Sequence, residues 1–453
     1  MVRRLLLVCA LLAACGASEP AGEPAPARNL LWISLDTLRA DRLGCYGYDR
    51  PTTPTLDALA ARGVRFEDAS APSPWTMPSH ASLFTGRYPS RSGVVSFVTE
   101  MRPDAQHVAE LLAARGFQTI AVVSNHALAM HGLERGFQTF DYVERDLSDG
   151  PSAVTPATIR RLEERDRSRP FFALAHYIDV HARYRAEQRY VQEFVRPYDG
   201  EITGRNAQFL EHLTGRRPFR PDDVAHLSDL YDAVLRQLDD QIADLFAYLE
   251  REHLLEDTLV VITSDHGEEF FDHHGVSHAM TQYQELVRVP LLLLGAGIPA
   301  GVTVSEPVSL IDLLPTSLAR LGIAAPAGID GLDLTSTWRG GVPLPERLLY
   351  FEADCETPTG PAAIIDPGTK RAVRDDRYKL HYDLERGVTA LFDLERDPLE
   401  QQDLLPGNGD RAAELSSALR SFLDASPGQA TEAELTLEQL EKLNGLGYVQ
   451  GRE

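Results

Sequence analysis

Between residues 74 and 89 the chain runs Pro74-Trp75-Thr76-Met77-Pro78-Ser79-His80-Ala81-Ser82-Leu83-Phe84-Thr85-Gly86-Arg87-Tyr88-Pro89. A Pro-rich turn delivers Thr76, and Pro78 in the first turn then opens a short apolar helix. Thr76 is thereby predicted at a helix N-terminus, where unpaired N–H groups and the helix dipole favour an anion. A hydroxyl held there suits attack on a phosphoryl or sulfuryl centre once its pKa is lowered, and metal coordination is the usual means. The same place suits a plain helix cap, the commoner duty of Thr ahead of Pro and Ser. On these residues alone both readings stand.

Working outward, apolar runs repeatedly end in polar groups. Leu30-Leu31-Trp32-Ile33-Ser34-Leu35 reads as a buried parallel strand ending in Asp36. Thr119-Ile120-Ala121-Val122-Val123 delivers Ser124-Asn125-His126, and Phe171 to Ile178 delivers Asp179-Val180-His181. Leu259-Val260-Val261-Ile262-Thr263 ends in Ser264-Asp265-His266-Gly267-Glu268, followed by His273, His274 and His278. Open α/β sheets place ligands at such strand ends. Helices are expected over 55–63 and 107–117, each with a Gly stop, and over 222–252 with apolar residues at helical spacing. The acidic face of the last, with Asp239, Asp240 and Asp244, reads as solvated.

Together these segments resemble the sulfatase family of the alkaline phosphatase superfamily. The 74–89 stretch is similar to its signature C/S-x-P-S-R followed by an apolar run and T-G-R. Asp36 with Gly44-Cys45-Tyr46-Gly47 is similar to its opening motif, and Asp179-Val180-His181-Ala182-Arg183-Tyr184 to D-x-H-x-P-Y. Residues 264–291 are similar to S-D-H-G-E, H-G and E-x-x-x-V-P-L. The resemblance spans residues 29–405 and implies an alkaline-phosphatase-like α/β sandwich, with a large, mostly parallel sheet flanked by helices. A small C-terminal α+β subdomain is expected after it.

The departures bear on chemistry. Thr76 replaces the Cys or Ser oxidised to formylglycine, His80 the Arg, and Ser124 a Lys facing the sulfate. Threonine cannot yield the aldehyde and resembles the unmodified Thr of the superfamily's phosphodiesterases and phosphotransferases. The resemblance implies one divalent cation (Mn, Zn or Ca) on Asp36, Asp265, His266 and Thr76, and a nitrogen ligand points toward Mn or Zn. His278 or His181 would protonate the leaving oxygen, and His126 and His80 would contact the anion. Asp41 reads as a local cap or pair, and His273 as incidental. A two-metal variant drawing on Asp179, His181 and His278 is less well matched by the spacing.

The 453 residues, 43% hydrophobic, can bury one large core and a smaller one. Met1-Val2-Arg3-Arg4 and the apolar run Leu5 to Ala14 read as a secretory signal, and Leu12-Ala13-Ala14-Cys15 as a lipobox. The expected division is a lipoprotein signal over 1–14, a Pro/Ala-rich tether over 15–28, a catalytic domain over 29–335, and a C-terminal subdomain over 336–453. That last part includes hairpin strands near 371–393 and a tail helix over 435–448. The chain is therefore expected to be exported and held to a membrane only by its lipid. Cys45 and Cys355 would remain, either as a pair or as two thiols. The net charge of −23, or −25 without Arg3 and Arg4, opposes nucleic-acid binding. An anionic ester of a small molecule, glycan or lipid is the expected substrate. Sulfate hydrolysis proper, or anion binding without turnover, are the competing functions.

Overall fold

Three strands whose every residue is buried form the centre of the molecule: β1 (Asn29–Leu35), β5 (Phe171–Tyr177) and β6 (Thr258–Thr263). The computed structural model describes residues 25–144, 150–340, 343–355, 368–427 and seven positions between 431 and 442. The signal, most of the tether, most of the expected tail helix and the Cys355 side chain lie outside the described residues. The remaining strands are β2 (Val64–Ser70), β3 (Gln118–Val123), β4 (Thr139–Tyr142), β7 (Glu269–Phe270), β8 (Val276–Ser277), β9 (Arg288–Gly295), β10 (Val302–Val304), β11 (Val308–Ser309), β12 (Leu349–Cys355), β13 (Gly368–Arg374), β14 (Tyr378–Asp383) and β15 (Gly387–Asp393).

The large sheet runs β10-β2-β9-β6-β1-β5-β3-β4, with β11 also on β2. Pairing is parallel except where β9 meets β6 and β2. The sheet is therefore mixed, and β9 is the strand that reverses it. The Val289-Pro290-Leu291 motif lies in that strand.

Alternation along β1 divides the core between the two faces. Leu31, Ile33 and Leu35 pack on the side of the long helix Pro221–Arg251, while Leu30 and Trp32 pack on the side of the helix Thr76–Thr85. All ten residues of the latter helix are buried. Its C-cap is Gly86 at φ 64°, a left-handed conformation that favours glycine and explains the Thr-Gly pair.

The register places Ser34 opposite His176 and Thr263, so one row of polar groups crosses the sheet at its carboxyl edge. Ser34 and His176 face the Thr76 helix, because paired residues on neighbouring strands share a face. The second sheet is antiparallel, β12-β13-β14-β15, and the helix Gly409–Asp424 packs on it through Leu415, Leu419 and Phe422. It also supports the segment leading to Thr76: Glu352 N–H donates to Pro72 O at 2.9 Å, and Ser73 Oγ donates to Glu352 O at 2.7 Å.

Two expectations need correction. The tether ends sooner than residue 28, since Ala27 N–H already donates to Arg320 O and Arg28 N–H to Asp257 O. The acidic face of the long helix is only partly solvated. Asp239 is fully buried and accepts from the N–H groups of Thr55 and Leu56 at 2.8 and 2.9 Å, capping the helix Pro54–Ala60. Asp240 accepts from Tyr190 Oη, and only Asp244 is exposed. A helix N-terminus arriving from elsewhere in the chain supplies donors that helical periodicity cannot reveal. Cys45 is a free thiol.

Candidate active site

At the end of β1 the backbone turns through Thr37, whose φ of 62° is unusual for a branched residue. That turn is held by Tyr231 of the long helix, which donates to Thr37 O and accepts from Arg39 N–H. Asp36 is thereby fixed with no exposure to solvent. From the end of β6, Asp265 and His266 project to the same place. The Gly267 that follows lies so close to Glu285 O that a Cβ would stand 2.0 Å from it, so the loop requires glycine.

His266 has a fixed role for each ring nitrogen. Nδ1 lies 2.9 Å from Gly267 O and must carry the proton, which leaves a lone pair on Nε2. That lone pair stands 3.3 Å from Thr76 Oγ1 and 3.5 Å from both Asp36 Oδ1 and Asp265 Oδ2. Trp75 is the residue at the cap position, so Thr76 is the first residue of the helix and its hydroxyl turns toward His266. A capping duty does not account for that direction.

Asp36 Oδ1 and Asp265 Oδ2 are buried and have no hydrogen-bond partner among the described residues. Buried carboxylate oxygens are ordinarily satisfied. One ligand atom from each of Asp36, Asp265 and His266 lies within 4.8 Å of the others. Orphaned oxygens, an imidazole with a fixed lone pair and an adjacent hydroxyl form an O,O,N donor set suited to a divalent cation, so these residues fit the cation implied by the sequence. Burial opposes ionisation of Asp36, but His176, His181 and His266 around it hold its carboxyl well below the ordinary carboxylate range.

Opposite this group, His278 Nδ1 is 2.9 Å from Glu268 Oε1, and Tyr184 Oη donates to Glu268 Oε2 at 2.8 Å. Burial works to lower the pKa of His278, yet the adjacent Glu268 carboxylate raises it above the ordinary imidazole value. His181 is buried with its ring 4.9 Å from that of His278, whose ring is 4.5 Å from that of His266. Asp36, Thr76, Asp265, His266, His278 and His181 therefore lie together in one buried group.

His80 and His126 lie differently from their expected roles. His80 is buried beneath the site, with Nδ1 2.9 Å from Thr76 O and Nε2 3.0 Å from Ser34 Oγ, and burial lowers its pKa to about 4. Both nitrogens are thus turned to protein rather than to an open anion pocket. His126 packs its ring against Tyr142 at 5.2 Å, while the preceding Asn125 donates to Asp36 Oδ2 at 3.0 Å. Asn125, His176, Glu268 and Tyr184 were not singled out for the site. The available signal was a polar side chain interrupting or ending an apolar strand, which His176 and Asn125 both carry.

Asp41 pairs with Arg39 at 2.6 Å, a local role as expected. His273 is structural: it bonds Glu285 at 2.7 Å and stacks on Tyr283, while its Nε2 lies 2.9 Å from Glu400 O, which ties the catalytic domain to the C-terminal subdomain.

The sulfatase family model matches residues 28–323, and the chain belongs to that family, whose members hydrolyse esters and are metal-dependent. It is 30% identical over 468 residues to arylsulfatase A of Homo sapiens, covering 87% of this chain and 86% of that protein. Over 432 residues it is 25% identical to the Delta 4,5-hexuronate-2-O-sulfatase of Bacteroides thetaiotaomicron, with 87% of each chain covered. The phosphonate monoester hydrolase of Agrobacterium radiobacter has the same fold, with a TM-score of 0.70 at 22% identity over 88% of this chain and 95% of that one.

Proposed function

We propose that this protein is an exported, lipid-anchored ester hydrolase in which the unmodified Thr76 hydroxyl is the nucleophile and a phosphate or phosphonate ester the preferred substrate. The observation that carries the reading is the 3.3 Å approach of Thr76 Oγ1 to the His266 lone pair, between two orphaned carboxylate oxygens. A cation bound by Asp36, Asp265, His266 and Thr76 would act as a Lewis acid, lowering the hydroxyl pKa and polarising the ester.

Thr76 enters as the alkoxide, its proton already lost to solvent. Its Oγ1 forms the bond to phosphorus as the bond to the leaving oxygen breaks, and His278 Nε2–H gives that oxygen its proton. The result is a phosphothreonine. A water molecule then attacks phosphorus and transfers a proton to His278, and Thr76 leaves again as the alkoxide. Glu268 keeps His278 oriented and protonated for the first step, and Asn125 holds Asp36.

Sulfate esters form the second reading, favoured by the sulfatases among the relatives. The loss of Arg at His80 and of Lys at Ser124 weighs against it, as does the slow release expected of a threonine sulfate. Anchoring is read from Leu12 to Cys15, and no helix of the described residues is long and apolar enough to cross a membrane.

The test is parallel turnover of aryl phosphate monoesters, aryl phosphodiesters, aryl phosphonates and aryl sulfates by metal-stripped protein resupplied with manganese, zinc or calcium. Phosphate or phosphonate turnover that disappears in Thr76→Ala and Asp265→Ala is expected. Turnover of sulfates alone would overturn the substrate preference, and anion binding without turnover would overturn catalysis.

A further inference from the structure

Beside Asp265 stand two further ligating side chains, His80 and His176, that the proposed reaction does not use. His176 is the penultimate residue of β5 and has no exposure to solvent, and neither of its ring nitrogens has a hydrogen-bond partner among the described residues. A neutral imidazole carries one donor and one acceptor, and leaving both unmet in a buried place is destabilising. The nearest carboxylate to His176, Asp36 Oδ2, stands 3.5 Å from Nε2, so the ring is free to take a ligand that the protein's own hydrogen bonds do not supply.

The neighbours of His176 suit a cation. His80 comes from the Thr76 helix, with its ring 5.1 Å from that of His176. Its Nδ1 is 3.5 Å from Asp265 Oδ2, the orphaned oxygen that also stands 3.5 Å from His266 Nε2. One ligand atom from each of His80, His176 and Asp265 lies within 4.8 Å of the others, and all three residues are buried. Two imidazoles and one carboxylate are a zinc-type donor set. His80 would exchange one of its present partners, Ser34 Oγ or Thr76 O, for the ion.

The two groups share oxygens. Asp265 Oδ2 lies between His266 and His80, and Asp36 spans the same pair of groups, with Oδ1 3.5 Å from His266 and Oδ2 3.5 Å from His176. Carboxylates shared in this way hold two cations close together. The charge balance agrees, because two buried carboxylates with one divalent ion are neutral and attract no anion. A second ion adds two positive charges, replacing those lost where His80 stands for Arg and Ser124 for Lys.

We propose that His80, His176 and Asp265 form a second divalent-cation site, taking zinc, that shares Asp265 with the Asp36–Asp265–His266 site. It draws on other residues than Asp179, His181 and His278. Of these, Asp179 accepts from Gln241 and His278 pairs with Glu268. The inference rests on the hydrolase reading only for the neighbouring cation, and His176 itself stands on its own geometry.

The experiment is metal stoichiometry of the full chain, stripped by chelation, reloaded with excess zinc, desalted and measured by elemental mass spectrometry. About two zinc ions per chain are expected for the wild type and about one each for His176→Gln and His266→Gln. One ion in the wild type, or two in His176→Gln, would overturn the second site. A single ion kept by His176→Gln and lost by His266→Gln would sink this site and leave the hydrolase reading intact. Should either variant misfold by circular dichroism, manganese-loaded wild type decides alone by electron paramagnetic resonance. A spin-coupled pair supports the proposal, and only an isolated-ion spectrum at saturating manganese refutes it.

Discussion

His266 presents Nε2 to the Thr76 hydroxyl at 3.3 Å because its Nδ1 proton is committed to Gly267 O at 2.9 Å. The tautomer is set by the backbone of the His266 loop, and that loop is held against Glu285 by a glycine with no room for a Cβ. A hydroxyl and a lone-pair donor from segments 190 residues apart are thus oriented by local backbone geometry.

Replacing the Thr76 hydroxyl, the proposed nucleophile, should separate chemistry from folding. Thr76→Ala is expected to lower kcat by ~10³ or more, whereas Thr76→Ser keeps measurable turnover, since the hydroxyl is retained. Melting temperatures of both variants should stay within a few degrees of wild type. Equal activity of Thr76→Ala and wild type would rule out the nucleophile.

In the proposed mechanism Glu268 acts through His278 and not on the substrate, so its loss should show in the dependence on leaving group. Glu268→Gln is expected to slow esters of poorly acidic alcohols by ~10²-fold while barely affecting nitrophenyl esters, which depart without a proton. A plot of log kcat/KM against leaving-group pKa should steepen, as it should for His278→Ala. Parallel lines for wild type and variant would remove the acid role from His278.

Cation removal should cost stability as well as activity. Asp36 and Asp265 stand together in one buried ligand group, and without a cation their charges repel in a medium that screens poorly. A chelator is expected to lower the melting temperature, by the equivalent of ~4 kcal/mol when the free metal had been at a thousand times its Kd. In chelator, Asp36→Asn should melt above the wild type, a reversal readable by differential scanning calorimetry.

His107 supplies a pH dependence remote from the metal group. Its Nδ1 accepts from Ala109 N–H at 3.0 Å at the start of the helix Val108–Ala113, and burial holds its pKa down to about 3. The unfolded chain, at about 6.5, binds the proton first, so this contribution is complete above pH 6.5 and is lost as pH falls toward 3. Stability should decline by up to about 1.4 kcal/mol per pH unit from this residue within that window. His107→Asn, which can still cap the helix, should flatten the slope in urea titrations at pH 7 and pH 5.

The long helix offers a paired comparison. Asp239→Ala removes two bonds to buried N–H groups of the helix Pro54–Ala60 and is expected to cost ~2 kcal/mol. Asp244→Ala, on the exposed face, should stay within ~0.5 kcal/mol. Urea midpoints at a common m-value measure both.

Strand-end chemistry was legible because local rules govern it. Buried parallel strands must be apolar along their length, so Asp36, Asp265 and His266 stood out as the polar residues that end them. Gly86 and the Pro-rich approach likewise marked the Thr76 helix through backbone preferences intrinsic to those residues. The C-terminal hairpins showed in the alternation of 371–393, which the structure resolves into β13, β14 and β15, with β12 completing the antiparallel sheet.

The class of fold, the helix that carries Thr76 and the acid and histidine residues at the strand ends could therefore be read from residue order alone. Only the tertiary structure decided which of them meet. Register set Ser34 beside His176, the helix brought His80 beneath Asp265, and Asn125 rather than its neighbour His126 reached Asp36. Only there did the direction of β9 and the burial of Asp239 become apparent. The physical reason is that periodicity reports whether a side chain faces solvent or core, whereas its partner there comes from a segment scores of residues away. Hydrogen bonding and ligation depend on a few ångströms between such segments, a distance that exists only once the sheet has assembled.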